Sequence, residues 1–486
     1  MSIASGGASY QECGALSLAF NTPFQKTGED IMIRRSIILA AGLTACSVAS
    51  VQAAVTAEET RQLGKNLTPM GAEMAGNKDG TIPAWTGGMK TLPPGFDPQK
   101  PHLRPDPFAH EKPLFSVDAK NMSQHADKLS DGLKALMQKY PTFRIDVYPS
   151  HRTAAWPQYV MDNTAKNATR CSTENGGVSI NRACYGGYPF PIPKTGNEVL
   201  WNHLLRFIGH SFAVHQTSRL VDSNGSVALA SENKVVNEYL YYDPKRTELE
   251  GDFYWRYKHK TMAPARMSGE ALMLVDPIDP IANKRKAYQY LPGQRRVKLS
   301  PNLAYDTPTP GQGGAATMDD GSIFLGAQDR FDFKLIGKKE MYIPYNNTKI
   351  MVDEKNCSPE KALLKDHYNP DCLRFELHRV WVVEGTVKPG IRHTSPRRMF
   401  YFDEDTYGPG LGDNYDASGK LQRVLWAIHT PMYEVPAQSS EGYGAYNLNS
   451  GVYVVSSVYP GAGLFPIAPQ DDRAWAPEAL VGDGVR

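Results

Sequence analysis

The chain has 486 residues, and its 53 basic and 51 acidic side chains leave a formal net charge of +2 at pH 7. Such a balance gives no support for a nucleic-acid partner, which would require a basic surface. The sequence contains 25 Tyr, 42 Gly and 36 Pro, and tyrosine in strands with glycine and proline in turns is typical of a sheet-rich exported protein.

The beginning of the sequence resembles a secretory signal. From Met32, two arginines precede an apolar run over 37–43 and a Val51-Gln52-Ala53 cleavage pattern. We therefore predict that residues 1–53 comprise an upstream extension and a signal peptide, and that the mature chain is exported to the periplasm. The preceding LTAC sequence resembles a lipobox, so a lipoprotein anchored at Cys46 stays open as an alternative.

Four cysteines follow the predicted signal peptide. An even number of cysteines in an exported chain predicts two disulfide bonds, for which three pairings exist. We favour the pairing that closes two short loops, Cys171 with Cys184 and Cys357 with Cys372.

Residues 54–118 form an extended N-terminal segment. A T-x-x-E capping box at Thr56 predicts a short helix over 56–63, and the rest is rich in Pro and Gly. Four apolar side chains predict an ordered coil that is anchored to the rest of the protein: Trp85, Phe96, Phe108 and Leu114.

The next elements are two helices, predicted over 119–128 and 130–140, and two strands, predicted near 143–147 and over 154–161. The strongest helix pattern follows at 195–208. Thr195 and Glu198 form a second capping box and Gly209 provides the stop. Apolar residues cover so much of this helix that another element must bury it.

Strand patterns separated by turns dominate the remainder of the chain. A long loop, predicted to be flexible, interrupts them at 301–322. The predicted strands are 235–242, 253–257, 271–275, 286–291, 295–299, 331–336, 341–344, 375–383, 398–402, 421–428 and 452–455. We expect a mainly β fold of the α+β type, in which residues 54–486 form one domain with a large curved antiparallel sheet wrapped around helices.

No catalytic motif stands out. His203, His210 and His215 lie close in sequence, but Gly209 interrupts the helix between them, so a polar helix edge is favoured over a metal site. The acidic run at 403–405 is interpreted as a solvated turn. We predict that the protein is not an enzyme and needs neither a cofactor nor a metal; a hydrolase is disfavoured because no nucleophile elbow occurs.

Two strands are apolar on both faces, near Trp381 and Trp426, and such strands must be covered twice or line a cavity. We therefore predict a hydrophobic cavity for a lipid-like ligand, with the 301–322 loop as its gate. The residues predicted to line it are Trp201, Leu204, Leu205, Phe207, Trp381 and Trp426. A basic cluster has two interpretations that both stay open: it contacts an anionic group, or it protects a sheet edge from aggregation. The predicted anionic-group contacts are Arg392, Arg397 and Arg398.

Four segments in order resemble one family of exported Gram-negative proteins, the domain of unknown function DUF1329, often labelled outer-membrane lipoprotein-sorting proteins. The segments are LTPMGAEMAGNKDGTIPAWTGG (67–88), GNEVLWNHLLRF (196–207), FDFKLIGKKEMYIPYN (331–346) and RRMFYFDEDTYG (397–408).

The resemblance implies a fold like that of the Lol lipoprotein carriers, an open curved sheet whose concave side is closed by helices. The resemblance also implies that the protein acts together with a resistance-nodulation-division type transporter and an outer-membrane β-barrel protein. The expected function is that of a periplasmic, non-catalytic carrier of a lipid or other hydrophobic compound. The alternative is a periplasmic scaffold that docks such a barrel or transporter without holding a ligand.

Overall fold

Pairing between neighbouring strands organises most of the chain. The computed structural model describes residues 55–457 and 463–484, and these belong to one compact unit, Ala53–Arg486. The predicted signal peptide and both of its candidate processing sites lie outside the described residues.

The strands, in chain order, are β1 (Phe115–Val117), β2 (Ile145–Tyr148), β3 (Thr173–Glu174), β4 (Ser179–Ile180), β5 (Ser211–Val221), β6 (Val227–Glu238), β7 (Phe253–Ala263), β8 (Ala271–Pro277), β9 (Lys286–Leu291), β10 (Arg296–Leu299), β11 (Phe331–Pro344), β12 (Phe375–Val387), β13 (Arg397–Asp403), β14 (Pro409–Tyr415), β15 (Leu421–Met432), β16 (Ala437–Asn447), β17 (Tyr453–Ser457) and β18 (Leu464–Pro466). The α-helices are α1 (Ala57–Thr60), α2 (Asp131–Lys139), α3 (Gln158–Arg170), α4 (Gly196–Leu204), α5 (Lys349–Val352), α6 (Glu354–Cys357), α7 (Pro359–Ala362) and α8 (Ala479–Gly484).

Within the described part of the chain, one 16-stranded sheet runs in the order β1-β2-β12-β13-β14-β15-β16-β17-β5-β6-β7-β8-β9-β10. Strand β11 also pairs with β12 and β18 with β5, while β3 and β4 form a separate hairpin. The pairings are antiparallel apart from a short parallel contact between β2 and β12. Because β1 and β10 end the order without pairing to each other, the sheet is open, and the predicted fold class is confirmed.

The sheet is buried on both faces, as strand β15 shows. Leu425 and Ala427 belong to the same apolar cluster as helix α4, whereas Val424, Trp426 and Ile428 belong to the cluster that contains helix α2. Successive side chains of a strand point to opposite faces, so α4 and α2 cover opposite sides of the sheet. We call the α4 side the first face and the α2 side the second face.

One predicted strand, at 154–161, is wrong. Helix α3 starts there instead, directly after Pro157. The helix buries positions at helical spacing, namely Val160, Thr164, Asn167 and Ala168. Since two of these four residues are polar, the helical spacing does not appear as an apolar pattern.

A second prediction, of two separate strands at 331–336 and 341–344, is also corrected. Both belong to the continuous strand β11, whose pairing with β12 shifts by one residue between Leu335 and Gly337. Gly337 has a φ of 133°, which a bulge residue without a Cβ accommodates easily. The glycine therefore marks a β-bulge rather than a turn.

The N-terminal segment is an ordered coil, and most of its predicted anchors make contacts. The Trp85 indole donates a hydrogen bond to the Ala154 carbonyl at 2.8 Å, Phe96 packs edge-on against Tyr433, and Phe108 stacks on His151. Leu114 does not act as an anchor, because it is 64% exposed.

Both predicted disulfide bonds are confirmed. Cys171 pairs with Cys184 and Cys357 pairs with Cys372, with Cα–Cα distances of 4.9 and 5.6 Å.

Candidate ligand cavity

Helix α4 is fixed by its own ends before any packing is considered. The Thr195 hydroxyl accepts a hydrogen bond from the Glu198 amide at 3.2 Å, which caps the first turn. The Glu198 carboxylate reaches one residue further back than expected and accepts from the Lys194 amide. The helix ends at Leu204, shorter than predicted, and the chain then turns so that residues 206 and 208 face a cavity.

The cavity has a volume of about 250 Å³ and lies on the first face of the sheet. Strands β5 to β8 form its main wall, and the end of α4 and a loop over 303–325 form the rest. We call residues 303–325 the crossing loop. The apolar residues that line the cavity include Leu204, Ile208, Phe212, Val214, Val235, Leu272, Leu274, Met318, Phe324 and Leu464.

The sheet contributes to the cavity mainly through alternate residues. The lining positions are 212, 214, 216 and 218 on β5, 231, 233, 235 and 237 on β6, and 255, 257, 259 and 261 on β7. Tyr254 also lines the cavity, at a register shift of β7. A period of two is what one face of a strand presents. Strand β5 was not predicted from the sequence, although Phe212, Val214 and Gln216 alternate there. His210 and His215, which lie in and beside this segment, were interpreted as part of a histidine group instead.

The crossing loop is packed into the structure and not the flexible loop that was predicted. In its first half, Gln312 donates a hydrogen bond to Ser456 at 2.9 Å and another to the Tyr443 hydroxyl. In its second half, Asp319 and Asp320 are almost completely buried. The loop therefore closes one side of the cavity.

The second half of the loop is held by arginines of the sheet. Arg398 donates to Asp319 at 2.9 Å and to Asp320 at 3.0 Å, and Arg423 donates to Asp320. His393 lies 2.9 Å from the Asp319 carboxylate. Burial alone would raise the pKa of Asp319, but Arg398 and His393 outweigh it and hold the pKa below its ordinary value.

The predicted anionic-group contacts are thus separated in space. Arg398 is fully buried and neutralised by the chain's own carboxylates. Arg397 points to the other side of β13 and pairs with Glu384 at 2.7 Å. Arg392 is exposed, outside the strand.

The predicted cavity residues are also only partly brought together. Leu204 lines the cavity, whereas Trp201, Leu205 and Phe207 are buried in the packed core around α4. Trp381 is half-buried against that core and stacks parallel to Tyr407. Trp426 lies on the second face among the residues around α2, so it cannot face α4 as expected.

His203 has two backbone partners. Its Nδ1 and Nε2 atoms lie 3.0 Å from the carbonyl oxygens of Tyr407 and Phe324. Burial and the nearby Arg206 lower its pKa well below the ordinary value, so the ring is neutral and donates to one of the two carbonyls. His215 has a different partner, the Glu232 carboxylate at 2.8 Å. His203 is fully buried, so it does not lie on the polar helix edge that was predicted.

The acidic run 403–405 is not a solvated turn. All three side chains are almost fully buried. Arg152 donates to both carboxylate oxygens of Asp405, and Lys338 pairs with Glu404 at 2.8 Å. Their partners lie far away in the sequence, which is why the local pattern suggested exposure.

One group near this run could offer atoms to a metal ion. Ligand atoms of His378, Asp403 and Asp405 lie within 4.8 Å of one another. Arg152, however, already supplies a positive charge to both oxygens of Asp405. Burial and Asp405 raise the pKa of Asp403 to about 6, so a proton is a second way to reduce the local negative charge.

Arg206 lines the cavity directly after α4. Its Nη1 donates to the His203 carbonyl at 2.6 Å, while its buried Nε has no hydrogen-bond partner. The side chain is only 7% exposed. Sequence reasoning did not single this residue out.

Fold and site together describe a β-rich protein with an open sheet and a partly open cavity that has apolar and polar walls. No helix in the described ranges is long and apolar enough to cross a membrane. The family profile "Protein of unknown function (DUF1329)" matches residues 116–481. The chain belongs to this family, as the resemblance implied.

An uncharacterized protein of Pseudomonas aeruginosa is 38% identical over 424 residues, which cover 86% of this chain and 91% of that protein. Among solved structures, a DUF1329 family protein from Desulfovibrio piger is 13% identical, with 56% of this chain and 92% of that chain covered and a TM-score of 0.39. A LolA superfamily protein from Nitrosomonas europaea is 12% identical, with 58% and 98% covered and a TM-score of 0.34. Both TM-scores are too low to carry an argument about this chain.

Proposed function

We propose that this protein is a periplasmic, non-catalytic carrier that holds a lipid or another hydrophobic compound in the cavity of the first face and works with an envelope transporter. The observation that carries the proposal is the cavity itself. A partly open space of about 250 Å³ lies between β5–β8, the end of α4 and the crossing loop, and a concave site with apolar walls and a few polar groups is where small molecules bind in proteins.

The lining suits an amphiphilic guest. Apolar side chains such as Phe212, Val214 and Val235 cover part of the wall, and each methylene group buried against them stabilises a complex by about 0.8 kcal/mol. The polar groups of the wall lie at both ends of these strands: Gln216 and Ser218 at one end, and Arg206 beside Tyr239 at the Phe212 end.

A pair of variants on β6 tests the cavity. Val235 lines it, while Val236 is the next residue, does not line it, and packs against the small cluster that contains Trp475. We expect Val235→Phe to fill the cavity and weaken binding of the fluorescent probe 1-N-phenylnaphthylamine by about tenfold or more, the equivalent of roughly two lost methylene contacts. Val236→Phe should bind the probe like the wild type.

Native mass spectrometry and lipid extraction of the protein purified from the periplasm provide the second measurement. A co-purifying hydrophobic compound that is absent from Val235→Phe supports the carrier. If the wild type carries no compound and binds no probe, the carrier proposal is wrong and the ligand-free scaffold becomes the better explanation.

The transporter partner is tested separately, by affinity capture of the tagged chain from detergent-solubilised envelopes. A resistance-nodulation-division type transporter in the eluate supports this part of the proposal. Its absence under conditions where the probe still binds would remove the partner and leave the carrier.

A further inference from the structure

One arginine differs from the other buried arginines of the described chain. Seven are buried, and six of them form an ion pair with a carboxylate: Arg104, Arg152, Arg256, Arg374, Arg398 and Arg423. The seventh is Arg206, which forms no ion pair with any described residue. Its one hydrogen bond goes to a neutral carbonyl, that of His203.

A buried cation without a counter-ion is costly. Removing an ion from water costs several kcal/mol even after relaxation, and a carboxylate or a similar anion normally offsets that cost. The groups that act most strongly on Arg206 are neutral phenols, Tyr239 and Tyr254 among them, and both phenols line the cavity. Burial accordingly lowers the pKa of Arg206, although a guanidinium stays charged in proteins.

We propose that Arg206 binds the anionic oxyanion head of an amphiphile, a carboxylate or a phosphate, whose apolar tail occupies the cavity. This inference rests on the proposed carrier function and specifies its ligand class. The planar guanidinium fork matches a carboxylate or phosphate with two parallel hydrogen bonds. The Nε atom has no partner among the described residues, and Nη2 makes no hydrogen bond there either.

Several neutral polar groups of the cavity wall are held by one another. Ser231 donates to the Gly311 carbonyl at 2.7 Å, Thr261 donates to Asn233 at 2.9 Å, and Gln312 donates to Ser456. These groups shape the wall without supplying a charge. The wall also contains one carboxylate, Glu270, whose pKa is raised by burial, and Arg206 is the arginine of the wall, without an ion pair to any described residue.

The volume limits the tail. Sites for drug-sized molecules span roughly 300–1,000 Å³, and the cavity of about 250 Å³ is smaller. A single alkyl chain fits this space better than a lipid with two or more chains. The ligand class is therefore a single-chain carboxylate or phosphate ester.

A purely structural role is the competing explanation. Arg206 follows the C-terminal end of α4, where a cation interacts favourably with the helix dipole. That role would make ligand binding independent of the charge of the ligand, so the two explanations predict different measurements.

The test compares three probes with the same chain, dodecanoate, dodecyl phosphate and dodecanol, at pH 8 by displacement of 1-N-phenylnaphthylamine. We expect the full-length wild type to bind one or both anions about tenfold or more tightly than dodecanol, the usual gain from a hydrogen-bonded charge. Arg206→Met should abolish this preference, so that the variant binds the two anions no more tightly than it binds dodecanol, while Arg206→Lys should restore part of the preference. The stronger of the two anions identifies the head group.

The outcomes separate this inference from the carrier proposal. Equal binding of all three probes by the wild type would overturn the role of Arg206 and leave the carrier intact, whereas no binding of any probe would overturn both. If Arg206→Met does not fold, the wild type alone decides through the ¹³C shift of carboxyl-labelled dodecanoate. Binding at Arg206 should lower the pKa of the bound dodecanoate carboxyl group below that of the free acid. A carboxyl pKa that is the same in the bound and the free acid would contradict binding at Arg206.

Discussion

Replacing Arg398 by methionine should release the second half of the crossing loop. The Arg398 side chain is fully buried and donates to Asp319, Asp320 and the Ile323 carbonyl. Methionine keeps much of the apolar stem but removes every one of these hydrogen bonds. Breaking a buried ion pair by removing one partner costs about 3–5 kcal/mol, because the other charge stays buried without compensation. Against a stability of roughly 5–15 kcal/mol, this is a large fraction.

The neighbouring residue provides a matched control. Arg397 pairs with Glu384 alone, and its side chain is 44% exposed, whereas that of Arg398 is 0% exposed. An exposed pair contributes about 0–1 kcal/mol. In urea denaturation, Arg398→Met should lose several times more unfolding free energy than Arg397→Met, and hydrogen exchange should show lost protection for amides of the crossing loop.

A second substitution tests the cause. Adding Asp319→Asn to Arg398→Met removes the buried carboxylate that has lost its arginine, while Asp320 keeps Arg423, and should recover part of the lost stability. Equal losses for Arg397→Met and Arg398→Met, or no recovery in the double variant, would refute the electrostatic explanation of how the loop is held.

Two further predictions concern stability. Burial raises the pKa of Asp413 from 3.8 to about 7, so the folded protein binds this proton more tightly than the unfolded chain does. The resulting stabilisation is complete below about pH 4 and is lost as pH rises through about 7. The unfolding free energy of Asp413→Asn, relative to that of the wild type, should therefore increase as pH rises from about 4 to about 7. Parallel curves of unfolding free energy against pH for the two proteins would contradict this. Replacing both Cys357 and Cys372 by serine opens a loop with a sequence separation of 15 and should cost about 3 kcal/mol in thermal or urea unfolding, whereas an unchanged midpoint would show that the bond does not constrain the unfolded chain.

The sheet was predictable because its signals are local. Alternation, turn residues and the two capping boxes each involve a few neighbouring residues, and the antiparallel strands and helix α4 follow from them. The cysteine pairs were chosen among three possibilities, and the open form of the sheet was implied by the family resemblance. Helix α3 was missed because Thr164 and Asn167 occupy its buried side. The β11 strand was divided in two because a bulge glycine and a turn glycine look alike in a single sequence.

The site was less predictable because its determinants are distant in the sequence. Alternation places Arg397 and Arg398 on opposite faces of β13. Only the fold shows that Asp319 and Asp320 reach the face that carries Arg398. The acidic run at 403–405 looked solvated because its counter-charges, Arg152 and Lys338, come from other parts of the chain. Arg206 had no distinguishing local pattern. It stands out only in the folded structure, where it is buried and forms no ion pair with a described residue.

The two halves of the crossing loop also differ in how they can open. The second half is held by buried ion pairs with Arg398 and Arg423, and breaking one costs about 3–5 kcal/mol. The first half is held through Gln312 by neutral hydrogen bonds to Ser456 and Tyr443, each of which contributes about 0.5–1.5 kcal/mol. A partly exposed ion pair between Asp306 and Arg330 at 3.6 Å adds about 0–1 kcal/mol. Tyr305 and Thr307 accept backbone hydrogen bonds from Asp319 and Met318, so if the loop is the gate of the cavity, residues 308–316 should move while residues 317–325 stay attached to the sheet. In wild-type hydrogen exchange residues 308–316 should exchange faster than residues 317–325, and equal protection of the two ranges would contradict a gate of this kind.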